Sequence, residues 1–239
     1  MMNNRKASNE ENNVLIHLEN VWKIYQMGEV EFAALRGVDL QINKGDFVAV
    51  LGPSGSGKST MMNLIGCLDL PSRGSICLDA RDISRLGESD LAQIRGRKIG
   101  FIFQQFNLIP TLSVLENVML PMEFQEVDNG VARQRALELL EMVGLKDRVY
   151  HMPSQLSGGQ RQRVAIARSL AVDPDIILAD EPTGNLDSKT GRYILDFLNE
   201  LHTNEGKTII VVTHDLDLIK YAEKVVYIKD GEIEKVEYT

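Results

Sequence analysis

Gly52-Pro53-Ser54-Gly55-Ser56-Gly57-Lys58-Ser59 is the stretch of this 239-residue sequence whose residue types and spacing are most suited to chemistry. The pattern G-x-x-x-x-G-K-[ST] fits a polyphosphate. Its glycines let backbone N–H groups curl around phosphate oxygens, and a helix beginning at the lysine adds the partial positive charge of its N-terminus. Lys58 would reach the β- and γ-phosphates, and the Ser59 hydroxyl would face Mg²⁺. A second chemical feature follows far downstream, where the apolar run Ile176–Ala179 delivers Asp180 and Glu181 to the end of a strand. Ligands of open α/β sheets collect at such ends, and adjacent acids there repel unless a cation joins them. Asp180 is therefore assigned to Mg²⁺ and Glu181 to a water molecule, as a general base worth about 10²- to 10⁴-fold in rate. A phosphate loop alone leaves kinases, GTPases and motor ATPases open; the carboxylate pair points to hydrolysis.

Leu156-Ser157-Gly158-Gly159-Gln160 precedes a long helical pattern, and Ser157 with Gln160 has the spacing of a capping box. A helix opened by a serine and two glycines presents bare N–H groups to an anion. It also reads as a well-capped helix without a ligand, and spacing alone does not separate the two. A second phosphate site is surplus in a chain that already holds one, unless it serves a nucleotide bound by another molecule. Dimerisation resolves the surplus.

With LSGGQ lying between the phosphate loop and the Asp-Glu strand end, the chain resembles the ABC (ATP-binding cassette) ATPases from about Leu15 to its C-terminal hairpin. What the resemblance implies is specific. Pro53, Ser54, Gly55, Ser56 and Thr60 would complete the ATP-binding loop, and Tyr25 would be the aromatic that stacks on adenine. Gln104, in Phe-Ile-Phe-Gln-Gln-Phe, would be the glutamine that meets Mg²⁺ and the reacting phosphate; its choice over Gln105 rests on the resemblance. Gly184 to Asp187 would be the D-loop, and His214, with Lys58, would stabilise charge on the γ-phosphoryl group. In this family two subunits pack head to tail, so Ser157, Gly158, Gly159, Gln160 and Asp187 of each would meet the ATP of the other. The expected partners are thus a second copy and an integral membrane permease. The permease would dock over Gln104 to Asn117 and hold the chain at the cytoplasmic face of the membrane. More narrowly, GPSGSGKSTMMNLIGCLD and FIFQQFNLIPTLSVLENV resemble the branch serving macrolide export, lipoprotein release and antimicrobial-peptide resistance.

The elements that must position these residues are legible in part. From Leu15 to Leu51 the alternation Val38, Leu40, Ile42 and the turn Asn43 to Asp46 predict short antiparallel strands. Phe47–Leu51, Ile176–Ala179 and Thr208–Val212 are apolar runs of buried-strand type. The helical pattern through Ile194, Leu195, Leu198 and Leu201 separates the last two, while Met61, Leu64, Ile65 and Leu68 follow the phosphate loop at helical spacing. Between about Pro110 and Asp173 strand-like runs disappear, Ser113 with Glu116 forms a capping box, and Gly144 ends a helix carrying Ala136, Leu139, Leu140 and Val143. Asp230-Gly231 marks a hairpin. The predicted fold is α/β, a P-loop NTPase core with a mostly parallel sheet, an N-terminal antiparallel β subdomain and an inserted α-helical subdomain at about 110–173. Residues 1–14 are expected to be a disordered polar tail on a single 15–239 domain. Met61, Met62, Met119, Met122 and Met142 are expected to fill core.

Composition narrows the partners. With 34 acidic and 26 basic residues the net charge is −8, which repels a nucleic-acid backbone, so a repair or chromosome-organising ATPase is disfavoured. Only about 50 residues part Gln104 from LSGGQ, too few for the coiled coils of such enzymes. A translation-associated relative would carry two cassettes, and a small-molecule kinase would lack LSGGQ. No apolar stretch reaches the roughly 20 residues of a membrane span, so no direct insertion is expected. Cys67 and Cys77 are read as reduced packing thiols, and His17, His151 and His202 receive no chemical role.

Overall fold

The computed structural model describes residues 13–214 and 216–239. Most of the expected polar tail, 1–12, lies outside the described residues. The chain opens with β1 (Val14–Met27) and β2 (Val30–Asn43), an antiparallel pair. These strands are 14 residues long and not short as expected. Register shifts at several points along the pair keep Leu15, Ile16, Leu18 and Val21 buried although strict alternation fails. Next come β3 (Phe47–Leu51) and α1 (Lys58–Ile65), which buries Met61, Met62, Leu64 and Ile65. The helix stops there: Leu68, expected on its apolar face, lies past its end and is 43% exposed. β4 (Arg73–Leu78) and β5 (Arg81–Asp82) return to the first sheet, giving the order β2-β1-β4-β5. α2 (Glu88–Lys98) then runs straight into β6 (Ile99–Ile102).

The helical lobe comprises α3 (Val114–Glu123), α4 (Asn129–Met142) and α5 (Gly158–Ser169). The Ser113–Glu116 capping box opens α3, and Gly144, at φ 68°, follows the end of α4. Asn117 is fully buried: its side chain accepts from Ile109 N–H and donates to the carbonyls of Ile109, Leu112 and Ser113, stitching the preceding loop to α3. Met142 is exposed and fills no core, while the other four methionines named above are buried. The chain finishes with β7 (Ile176–Asp180), α6 (Ser188–Glu205), β8 (Thr208–Val212), β9 (Lys224–Lys229) and β10 (Glu232–Tyr238). Asp230 and Gly231 both take positive φ between β9 and β10, the two-residue turn that matches strand twist.

The second sheet has the order β10-β9-β3-β8-β7-β6, parallel except for β10. Alternate residues of its central strands enter different apolar layers. Ala49, Ile177, Ala179 and Val211 pack with the helical lobe and α6. Val48, Val50, Leu178, Ile210 and Val212 pack with α1 and the antiparallel sheet. Two layers bury both faces, which is why these strands read as unbroken apolar runs. The α/β architecture is the expected one, and it sets β3, β8 and β7 side by side with their carboxyl ends level: Val50 pairs with Val212, and Val212 with Asp180.

Candidate nucleotide site

Because the three strands end level, the segments leaving them share one cleft. Residues 52–60 line a cavity of about 650 Å³ together with Gln104, Asp180, Glu181 and His214. Gly57 is the N-cap of α1 at φ 104°, where a Cβ would also lie 2.6 Å from the Ala34 carbonyl oxygen, so the loop's entry to its helix admits only glycine. Lys58 Nζ donates to the carbonyls of Gly52 and Pro53, both at 2.8 Å, and so lies folded over the loop. Burial holds its ammonium below the ordinary value, while Glu181 and Asp180 push the other way.

Asp180 ends β7 half-buried. Its carboxyl is pushed above the usual range, first by burial and then by the Glu181 charge, against the pull of Lys58. Glu181 sits at φ 46°, a left-handed conformation that costs a non-glycine residue about 1–3 kcal/mol. Its N–H donates to Val212 O at 2.8 Å, extending the pairing with β8 by one residue. Its carboxylate stands 2.7 Å from His214 Nδ1, and Thr213 Oγ1 donates to it at 3.4 Å. The acid and the imidazole therefore form a hydrogen-bonded pair at the cavity wall. Asp215, beside the histidine, lies outside the described residues.

Geometry separates the two adjacent glutamines. Gln104 lines the cavity, Gln105 does not, and Asn185 Nδ2 donates to Gln104 O at 2.9 Å. Ser59, Gln104 and Asp180 offer a hydroxyl, an amide oxygen and a carboxylate, hard oxygen donors of the kind a small divalent cation takes.

Other expected site residues lie elsewhere in the same chain. Ser157 to Gln160 open α5 away from this cavity, with Gln160 N–H donating to Ser157 Oγ at 3.2 Å and Ser157 N–H to Gln160 Oε1 at 2.8 Å. Asp187 caps α6, accepting from the N–H groups of Lys189 and Thr190 and from Thr190 Oγ1, which holds its carboxyl below the usual range. Tyr25 is not among the lining residues; its hydroxyl donates to Asp69 at 3.2 Å. Phe32, which pairs with Tyr25 across β1 and β2, does line the cavity and is 48% exposed. Sequence reasoning missed Phe32; the available signal was an aromatic at the start of a strand, directly opposite another on the same face.

A strand, a phosphate loop opening a helix and a carboxylate pair on a neighbouring strand define the class, a nucleoside-triphosphate-binding α/β protein. A sequence profile of the ABC transporter family matches residues 35–184. An uncharacterized ABC transporter ATP-binding protein of Thermotoga maritima is 54% identical over 223 residues, 93% of this chain and 95% of that protein. A macrolide export ATP-binding/permease protein, MacB, of Bdellovibrio bacteriovorus is 48% identical over 93% of this chain, which spans 34% of that longer protein. Among solved structures, the dimeric post-hydrolysis state of the cassette MJ0796 bound to ADP and Pi superposes with TM-score 0.88 at 51% identity, covering 94% of this chain and 98% of that one. The chain belongs to the ABC transporter family.

The raised Asp180 pKa carries a sign. An acid whose folded pKa lies above its unfolded value binds protons more readily when folded, so its ionised form costs stability above the folded pKa and nothing below the unfolded one. Asp180→Asn should therefore raise the nucleotide-free Tm at neutral pH, by about 2–4 °C per kcal/mol of relieved strain in a chain of this size. It should abolish ATP hydrolysis in the same preparation. Calorimetry tests the first statement, and a lower Tm for the variant would contradict this electrostatic account.

Proposed function

We propose that the chain is the ATP-binding and ATP-hydrolysing subunit of an ABC transporter, and that it drives a membrane permease by closing as a dimer over ATP. The observation that carries hydrolysis is the single cavity shared by residues 52–60, Gln104, Asp180, Glu181 and His214. In this reading Lys58 leaves the Gly52 and Pro53 carbonyls to meet the β- and γ-phosphates. Glu181 accepts a proton from the attacking water, and His214 orients Glu181 through their 2.7 Å contact and faces the γ-phosphoryl oxygens. Ser59, Gln104 and Asp180 would hold Mg²⁺, which when bound supplies charge neutralisation to the phosphate oxygens. Tyr25 would meet the adenine at the edge of the site.

The in-trans role of Ser157 to Gln160 draws support from a contrast between two glycines. A Cβ on Gly159 would stand 2.6 Å from Thr190 Cγ2, so packing within the chain accounts for it. A Cβ on Gly158 would meet nothing closer than Asn185 O at 3.9 Å. No contact among the described residues explains that glycine, whereas a phosphate arriving from a second copy does. The family structure noted above is itself described as dimeric. Asp187, which caps α6, would stand at the same junction.

Permease docking is assigned to a shallow apolar groove of about 360 Å³ beside Gln104, bordered by Leu68, Phe101, Phe103, Leu120 and Phe124. It departs from the expected span: Asn117 is a buried internal staple, and the exposed apolar surface lies on either side of it. Phe124 is 77% exposed, the most exposed phenylalanine ring at this groove. No helix of the described residues is long and apolar enough to cross a membrane. The docked assembly would place the chain at the cytoplasmic face. The match to a macrolide export protein supports the export-type branch, although there ATP-binding and permease functions share one name and one chain.

Three outcomes follow. Glu181→Gln should bind ATP, lose hydrolysis by at least about 10²-fold and accumulate as a dimer on size exclusion; a variant that stays monomeric at saturating ATP would overturn the mechanism. Gly158→Asp places an acid where the α5 dipole favours it and where an incoming phosphate would be repelled. It should melt no lower than the unaltered chain yet weaken ATP-driven dimerisation at least about tenfold; unchanged dimerisation would refute the in-trans assignment. Phe124→Glu should keep ATPase activity in solution within about twofold while reducing recovery with the native membrane fraction at least about fivefold. Equal recovery would move the docking surface elsewhere.

A further inference from the structure

Gln162 lies on α5, within two residues of the Ser157–Gln160 opening, and is 1% exposed. Its Nε2 donates to the carbonyl oxygen of Pro182 at 2.8 Å. Pro182 is the residue immediately after Glu181. The other end of the same amide, Oε1, is buried without a partner among the described residues. A methionine of equal length would fill the space without an orphan acceptor, which costs free energy wherever it is buried. Packing does not account for an amide here; the bond to Pro182 does.

That bond joins two elements that serve different nucleotides under the functional reading above, on which this inference rests. The N-terminus of α5 faces the ATP held by the partner, and the Glu181 loop faces the chain's own. The far end of α5 is tied as well: Arg168 donates to the carbonyls of Phe106 and Asn107, just past Gln104; near the start of the helix the Arg161 guanidinium stands 5.3 Å over the Phe106 ring. At the other side of the loop, Glu181 N–H is bonded to Val212 O. The helix is therefore hydrogen-bonded both to the segment that follows Gln104 and to the loop that follows Glu181, and the Gln162–Pro182 bond is the connection that adjoins the general base. We propose that Gln162 is a positioning residue. It transmits the seating of α5 against the partner's ATP to the loop carrying Glu181, so that water attack at one site depends on closure at the other.

The test uses the full-length chain and ATP. Gln162→Met keeps length and apolar packing and removes the donor. Expected are a Tm within about 2 °C and an ATP Kd within about twofold of the unaltered chain. The kcat should fall about threefold to tenfold, the worth of one neutral hydrogen bond, and the Hill coefficient for ATP should drop toward about 1. Gln162→Glu gives an independent readout if the first variant misfolds. Its buried carboxyl regains a donor only when protonated, so its activity relative to the unaltered chain should rise as the pH falls. Unchanged kcat and Hill coefficient in Gln162→Met, or a pH-independent ratio for Gln162→Glu, overturns the positioning role while leaving the ATPase reading intact. A kcat that falls only in step with Tm and affinity also overturns it, as a purely structural effect. Absence of ATP hydrolysis by the unaltered chain overturns the functional reading and this proposal together.

Discussion

The parallel pairing of β3, β8 and β7 is the constraint on which the site depends. The phosphate loop leaves β3, Thr213 and His214 leave β8, and Asp180 and Glu181 leave β7, with Val50, Val212 and Asp180 in register. Side-chain direction alternates along a strand, so a slip of one residue would exchange the two apolar layers and turn the reactive ends away from one another. Burial on both faces of the sheet makes such a slip costly. The same core that stabilises the fold therefore brings the candidate reacting groups to one cleft.

Two charged features follow from that crowding. Asp180 and Glu181 are forced together where water is scarce, and Asp180 responds by holding its proton more tightly. Lys58 is partly desolvated and turns its ammonium onto loop carbonyls. Each is a partly desolvated charge that a bound polyphosphate with its cation would neutralise. The left-handed backbone at Glu181 belongs with them: the extra bond from its N–H to Val212 holds the residue in a conformation its side chain disfavours.

The helical lobe obeys different rules. Two of its helices are opened by capping boxes at Ser113 and Ser157 and the third by Asp128, and polar contacts from α5 reach the sheet domain: Gln162 to Pro182, Arg168 to Phe106 and Asn107. These bonds add direction to the apolar layer through which the lobe packs on the sheet.

What the sequence determined by itself were features governed by short-range rules. The phosphate loop needs a fixed spacing of glycines and lysine, buried parallel strands read as unbroken apolar runs, and helix caps and the Asp230-Gly231 turn depend on neighbours within four residues. Long-range geometry decided the rest. β4 and β5 are not legible in the sequence because their few apolar residues form a short run flanked by charge, and they acquire an identity only when β4 pairs with β1 and β5 with β4. The length of β1 and β2 was hidden because bulges break the alternation. The end of α1 before Leu68, the distinction between Gln104 and Gln105, the place of Phe32 opposite Tyr25, and the reach of Gln162 to Pro182 all depend on which surfaces the sheet and lobe bring together. Those contacts join residues far apart in the chain, and a local pattern holds no record of them.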